Sequence, residues 1–256
     1  MRFSAYNFTV EGKKPFTIHP PFLYNTIKSV SVNQGVDLGE IVLDTVWWKE
    51  ERTHTFTLTS PSFRFDLDEL VHKAVDEWRE SVGVDAEIAE YGFKEIDPKD
   101  QPVPDDIDHV LLETRSPIML SFRENSGDRR YGHTSDLGDF SKLVLQLVRR
   151  YKELYGEMDQ KRFDEVMNFS EKPEDVVYFF EYTDDFPLRK DRSLDAKNAM
   201  VGKTLFRAPK WNEDILKLLK LAETMHIGQK RGYGLGGIDI TLLRKKEDGT
   251  KNLRDS

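Results

Sequence analysis

An α+β fold in which the order β-α-β-β-α-β occurs twice is what the sequence predicts, and three observations predict it. Short runs of alternating apolar and polar residues interleave with runs of helical period along all 256 residues. The same order of elements is met before and after a segment rich in Pro and Asp, residues 97–108 (DPKDQPVPDDID). With 38% hydrophobic and 33% charged residues the composition is that of a packed protein, and 29.8 kDa suits two domains better than one.

The first copy opens with residues 1–11, where Phe3, Tyr6, Phe8 and Val10 give a strand pattern. Pro20 and Pro21 then open a short apolar segment, residues 22–32, which reads as a helix in spite of its β-branched content. Residues 40–49 and 53–65 alternate around a charged turn and predict a hairpin. Asp66 caps an amphipathic helix that carries Leu67, Leu70, Val71, Ala74, Val75 and Trp78 on one stripe, with Glu69 in its first turn, and Gly83 stops it. A strand over Ala86–Ile96 completes the set.

The second copy starts with a strand over residues 109–122. Phe140, Leu143, Val144, Leu147, Tyr151 and Leu154 follow at helical spacing until Gly156. Residues 176–182 and 201–207 are the next strands. Asn212, followed by Glu213 and Asp214, caps a helix that buries Ile215, Leu218, Leu219, Ala222 and Met225, and residues 237–243 form the last strand. Each copy has the order of a ferredoxin-like module with an antiparallel sheet. The expected layout is an N-terminal module over 1–97, a linker over 98–108 and a C-terminal module over 109–256 that carries a glycine-rich loop at 228–237.

Charge and composition narrow the function. The absence of cysteine removes disulfides, thiolate nucleophiles and zinc ribbons, leaving oxygen and nitrogen groups for any chemistry. No apolar run approaches a membrane span and the first residues lack a signal-peptide core, so a soluble, cytoplasmic protein is expected. The net charge of −8 conceals an uneven distribution. Residues 186–256 hold 16 Lys+Arg against 9 Asp+Glu, a balance of +7, which leaves −15 for residues 1–185. A local basic surface of that kind is what phosphate contacts require.

The most informative segment is residues 226–237, HIGQKRGYGLGG, which sets Gly228, Gly232, Gly234, Gly236 and Gly237 beside Lys230 and Arg231. Glycines allow backbone N–H groups to converge on an anion, and the two cations add charge for phosphate oxygens. Nucleotide-binding glycine loops follow a strand and open a helix, whereas this one follows a helix and enters a strand, which argues against a dinucleotide or Walker fold. The alternative is a tight, close-packed helix-to-strand turn.

With this loop the sequence resembles the CRISPR-associated Cas-six endoribonucleases of the RAMP superfamily, whose signature is a glycine-rich loop just before the last strand. Two further segments are similar to that family. Residues 113–119 (ETRSPIM) look like the short Ser-Pro-Ile strand that opens its second module, and residues 21–29, from Pro21 through Tyr24, look like a loose version of the Pro-x-x-Tyr stretch of its first helix. The resemblance implies a metal-independent reaction on CRISPR repeat RNA, the precursor crRNA. In it the ribose 2′-hydroxyl attacks the adjacent phosphate and leaves a 2′,3′-cyclic phosphate and a 5′-hydroxyl. No cofactor is expected. Other Cas proteins of an effector complex and a second copy of the chain are the further partners it suggests.

Such a reaction needs a base for the 2′-hydroxyl, an acid for the leaving oxygen and cations or N–H groups for the phosphorane charge. The family often places its histidine a little beyond the first helix, and residues 32–43 contain none. The catalytic candidates are therefore His19, just before the first helix, Tyr24 within it, and His133, in a polar loop beside Arg129, Arg130 and Tyr131. His54, His72, His109 and His226 read as structural or incidental. For RNA binding the candidates are Gly228, Lys230, Arg231, Gly232, Tyr233 as a stacking ring, and Gly234, with Arg129 and Arg130 as a second set. Arg149 and Arg150 join that second set unless they form the wet face of their helix. The missing histidine keeps a second class open, a non-catalytic RAMP-type scaffold that only binds RNA. A ferredoxin-like sensor for a small anion is a third.

Overall fold

A computed structural model describes residues 3–39, 41–45, 50–61, 67–96, 103–104, 106–119, 122–123, 131–132, 139–183, 186–187, 195–196, 199–228 and 231–244. In chain order the N-terminal module comprises β1 (Phe3–Phe16), α1 (Pro20–Asn33), β2 (Val42–Thr45), β3 (Glu51–Ser60), α2 (Leu67–Val82) and β4 (Ala86–Ile96). Its sheet runs β2-β3-β1-β4 with every neighbour antiparallel. Strand alternation turns Tyr6, Phe8, Val10, Phe56 and Leu58 toward one face. Leu23, Ile27 and Val30 of α1 close that core together with Leu70, Val71, Ala74 and Trp78 of α2. Pro20 and Pro21 occupy the first turn of α1, where a missing N–H leaves no helical bond unmade.

The C-terminal module comprises β5 (Ile107–Thr114), β6 (Phe122–Arg123), β7 (Tyr131–Gly132), α3 (Phe140–Tyr155), α4 (Gln160–Ser170), β8 (Glu174–Thr183), β9 (Phe186–Pro187), β10 (Asp195–Ala196), β11 (Ala199–Arg207), α5 (Glu213–Met225) and β12 (Ile238–Arg244). Its main sheet runs β12-β5-β11-β8, again antiparallel. Numbered within each module, both sheets read 4-1-3-2, so the chain is two tandem ferredoxin-like modules.

Three features depart from the sequence pattern. β5 starts at Ile107 and ends at Thr114, shorter than the expected 109–122, because Pro117 has no N–H for a ladder; Ile118 resumes pairing only as an isolated bridge to Met200. Helix α4 is additional: Asp159 caps it by accepting from the Arg162 N–H, and it buries Val166 and Phe169. Two two-stranded ribbons, β6 with β7 and β9 with β10, are also inserted.

The modules meet in a small apolar cluster. Phe3 and Val42 of the first sheet pack on Leu154 of α3 and on Leu221 and Met225 of α5, and the Phe3 and Tyr155 rings meet edge to face at 6.4 Å. Helices α3 and α5 thus cover their own sheet on one side and touch the neighbouring module on the other. Among the described residues no helix is long and apolar enough to cross a membrane.

Candidate nucleic-acid interface

The glycine loop is anchored at its base by long-range contacts. His226 ends α5 with φ 55°, a conformation uncommon for a side chain with a Cβ, and its ring is buried. Nδ1 lies 2.9 Å from the Leu235 carbonyl, which can only accept, so the proton sits on Nδ1. Nε2 then faces the Asp44 carboxylate of β2 at 3.6 Å. Asp44 also meets the Arg115 guanidinium at 3.2 Å, and Arg115 reaches the Glu223 carbonyl at 3.0 Å and Asp239 at 3.5 Å. One carboxylate of the first module therefore contacts both His226, at the start of the loop, and Arg115, whose backbone N–H donates to the Gly237 carbonyl at its end.

The C-terminal half of the loop is a backbone crossing. Gly236 has φ 78°, and a Cβ there would lie 1.8 Å from the Ile227 carbonyl oxygen, so only glycine fits. Ile227 N–H donates to Gly236, Gly236 N–H to the Pro117 carbonyl and Gly237 N–H to Ser116 Oγ, at 3.0, 2.9 and 2.8 Å. The Gly234 N–H donates to the Arg231 carbonyl at 2.9 Å. These amides are turned inward, so this half is the close-packed turn that was the alternative to a phosphate cradle. The SPI segment of the sequence is the other half of the weld.

The tip of the loop, a 3₁₀ turn over Arg231–Tyr233, reaches the first module. A Cβ on Gly232 would lie 2.3 Å from the Tyr24 ring, so the ring rests directly against the glycine backbone. Tyr24 is half-buried on α1, the helix whose N-cap position is His19. His19 is half-buried too, and its carbonyl accepts from the Phe22 and Leu23 N–H groups at 2.9 and 3.2 Å. Phe22 beside them is 41% exposed. The fold thus brings together Gly232, Tyr24 and the start of α1, more than two hundred residues apart in sequence.

Arg231 is held rather than free to swing. It donates to the Gly228 carbonyl and, at 2.8 Å, to Glu153 of α3, which also pairs with Arg150 at 2.9 Å. Arg150 is buried, not on a wet face; Arg149 is exposed. Other described cations of the basic C-terminal region are also near carboxylates: Arg207 with Asp108, Lys217 with Glu213, Lys220 with Glu223 and Arg244 with Asp106. His54 is a buried structural histidine with Nε2 2.8 Å from the Phe16 carbonyl, while His72 and His109 stand beside Asp68 and Asp108. His133, Arg129, Arg130 and Lys230 lie outside the described residues, as does the Tyr233 side chain. Among the described residues no three His, Asp or Glu side chains stand together as a metal site. Asp44, Arg115, Ser116 and Glu153 were not singled out from sequence, because each acts on the loop across at least 78 positions or on it from the other module.

The model for CRISPR-associated endoribonuclease Cas6 matches residues 112–238, from within β5 through the glycine loop to the first residue of β12. The chain belongs to the Cas6 family. Among solved structures it is similar to a Cas6 (TTHB231) product complex, at 14% identity and a TM-score of 0.66 over 93% of this chain and 99% of that one. Thermus thermophilus Cas6 (TTHB231) gives 12% and 0.60 over 93% and 98%. A partial Cas6-RT-Cas1–Cas2 complex gives 13% and 0.64 over 94% of this chain and 46% of that one. At these identities the likeness is one of fold, and it extends over both modules. No curated protein matches the sequence.

Proposed function

We propose that this Cas6-family protein is an endoribonuclease that recognises CRISPR repeat RNA and cuts it by metal-independent transesterification, yielding mature crRNA. The contact of Gly232 with Tyr24 carries the reading. It joins the family's glycine loop, on the second module, to the helix of the first module that starts at His19. An RNA strand lying against that junction meets the turn at Arg231–Gly232 on one side and α1 on the other, and Lys230 and Tyr233 of the same loop are its further proposed contacts. Arg231, pinned by Glu153 and the Gly228 carbonyl, sets the shape of this loop. His133, Arg129 and Arg130 belong to the same proposed machinery through the loop between β6 and α3.

In the reaction the 2′-oxygen forms a bond to phosphorus as its proton passes to a base, and the 5′-oxygen leaves with a proton from an acid. His19 is the proposed base, since an imidazole with pKa near ~6.5 accepts and releases protons near neutral pH. Tyr24 orients it or the leaving group. Such a protein works in the cytoplasm and can pass its product to other Cas proteins.

Incubation with its cognate repeat RNA in EDTA tests the reading. A product ending in 2′,3′-cyclic phosphate supports it, and His19→Ala should then slow cleavage on the order of a hundredfold at saturating protein while RNA still binds. Binding without any cleavage would replace the enzyme with an RNA-holding scaffold.

A further inference from the structure

Among the described residues strand β4 is an edge of the first sheet and pairs with β1 alone, through ten of its eleven residues. Every residue of it from Glu87 to Ile96 is exposed or half-buried, and it carries two of the largest exposed rings, Tyr91 at 60% and Phe93 at 48%. Long uncovered edges of this kind pair readily with another strand, and proteins normally blunt them. The edge strand β12 of the second sheet shows such blunting: Lys220 donates to its Ile240 carbonyl at 3.0 Å and Glu223 accepts from its Ile240 N–H at 2.9 Å.

The sequence of β4, AEIAEYGFKEI, is complementary to itself when reversed about Gly92. An antiparallel copy with a two-fold axis at Gly92 sets Tyr91 opposite Phe93 and Glu90 opposite Lys94, and each pair occurs twice by symmetry. The faces agree. Tyr91 and Phe93 lie on the helix-covered side, opposite Phe8 and Tyr6 in the β1 register, whereas Glu90 and Lys94 lie on the other side and are exposed. A bulge in the β1 register near Glu90 and Ile88 confines regular pairing to the central residues. The edge strand β8 of the other sheet, EDVVYFFEYT, offers no such match, because it holds three carboxylates and no cation.

We infer that β4 is a dimerisation edge, and that its occupant is the β4 strand of a second copy, giving one eight-stranded sheet across the two-fold axis. The inference stands apart from the proposed RNA chemistry, since β4 lies at the sheet edge away from β2 and the loop.

Sedimentation of the full chain across the micromolar range should show a species of twice 29.8 kDa. Glu90→Lys sets two cations opposite each other and Lys94→Glu two anions, so either variant should weaken association roughly tenfold or more. The double variant Glu90→Lys/Lys94→Glu restores opposite charges and should dimerise again, which separates lost pairing from lost folding. Cross-linking gives a second reading. The chain has no cysteine, and a Cβ at Gly92 meets nothing within 4 Å, so Gly92→Cys adds one thiol at the axis without steric cost. Oxidation should yield a covalent dimer from Gly92→Cys and none from Val176→Cys on β8. A monomer at every concentration, a dimer indifferent to both charge reversals, or equal cross-linking of the two cysteine variants would overturn the inference.

Discussion

The two modules share one sheet order but differ in how their connections are built, and one pair of glycines shows the difference. Gly83, which stops α2 in the first module, and Gly236, in the loop of the second, both have positive φ, 68° and 78°. At Gly83 a Cβ would meet open space; at Gly236 it would meet the Ile227 carbonyl oxygen at 1.8 Å. The first glycine provides a conformation at a helix end. The second lets one backbone cross another, and the bonds of Ile227, Gly236, Gly237, Ser116 and Pro117 lock that crossing. In the first module the sheet and helices account for the fold. In the second, α4, two ribbons and the welded loop are added to the same frame, and the proposed site lies where the weld meets the first module.

The largest effect should come from breaking that contrast directly. Gly236→Ala has to displace backbone, at a cost of about 3 kcal/mol or more, whereas Gly83→Ala incurs only the left-handed conformation of a residue with a Cβ, about 1–2 kcal/mol. Urea denaturation of both variants checks this through their midpoints. Equal losses would mean that the crossing at Ile227 is not the constraint.

A second pair sharpens the functional side. At Gly232 the obstacle to a Cβ is the Tyr24 ring of the other module, and the backbone there is not left-handed, so Gly232→Ala pushes loop and α1 apart. RNA affinity and cleavage should fall by about tenfold or more with a stability change near ~1 kcal/mol. Gly35→Ala, just beyond α1 at φ 67° with open space around it, should show the reverse: a stability loss near ~1 kcal/mol and unchanged RNA affinity. Titration of labelled repeat RNA with each variant decides between them.

How much was legible in the sequence follows the same division. Elements governed by local chemistry were readable: the stripe from Leu67 to Trp78 ending at Gly83, the Asn212 cap whose side chain accepts from the Ile215 N–H, and β4 at its full extent. Even α1, weak in pattern, was marked by its paired prolines. Helix α4 was missed because its apolar residues, Phe163, Val166, Met167 and Phe169, form only a short stripe over eleven positions. The glycine loop was visible as a segment, but its inward-turned amides, its Tyr24 neighbour and the hold of Asp44 and Glu153 were not. Those contacts depend on how distant segments are brought together, which no local pattern encodes. A net balance of +7 likewise said nothing of Arg231, Lys220 or Arg244 lying against carboxylates.

The smallest expected effect concerns only the first module and appears only in alkali. The Tyr6 ring is buried under the helices and its hydroxyl donates to Asp68 at 2.5 Å. Burial first, and then the hydrogen bond to a carboxylate, raise the pKa of this phenol above its ordinary value near 10. Below the unfolded pKa both states keep the proton and the stabilisation is complete. As pH rises past ~10 the unfolded chain loses the proton while the folded one retains it, so the unfolded state binds fewer protons and stability falls. The slope from this one group approaches about 1.4 kcal/mol per pH unit once the unfolded tyrosine is ionised. Tyr6→Phe cannot titrate, so although the variant is weaker near neutral pH by about 1 kcal/mol for the lost hydrogen bond, its disadvantage should shrink between roughly pH 9 and 11. Thermal unfolding of both proteins across that window measures the difference directly, with the other eight tyrosines common to both. Parallel curves would show that the Tyr6 hydroxyl titrates alike in the folded and unfolded chain, and the buried hydrogen bond to Asp68 would then not distinguish this module in alkali.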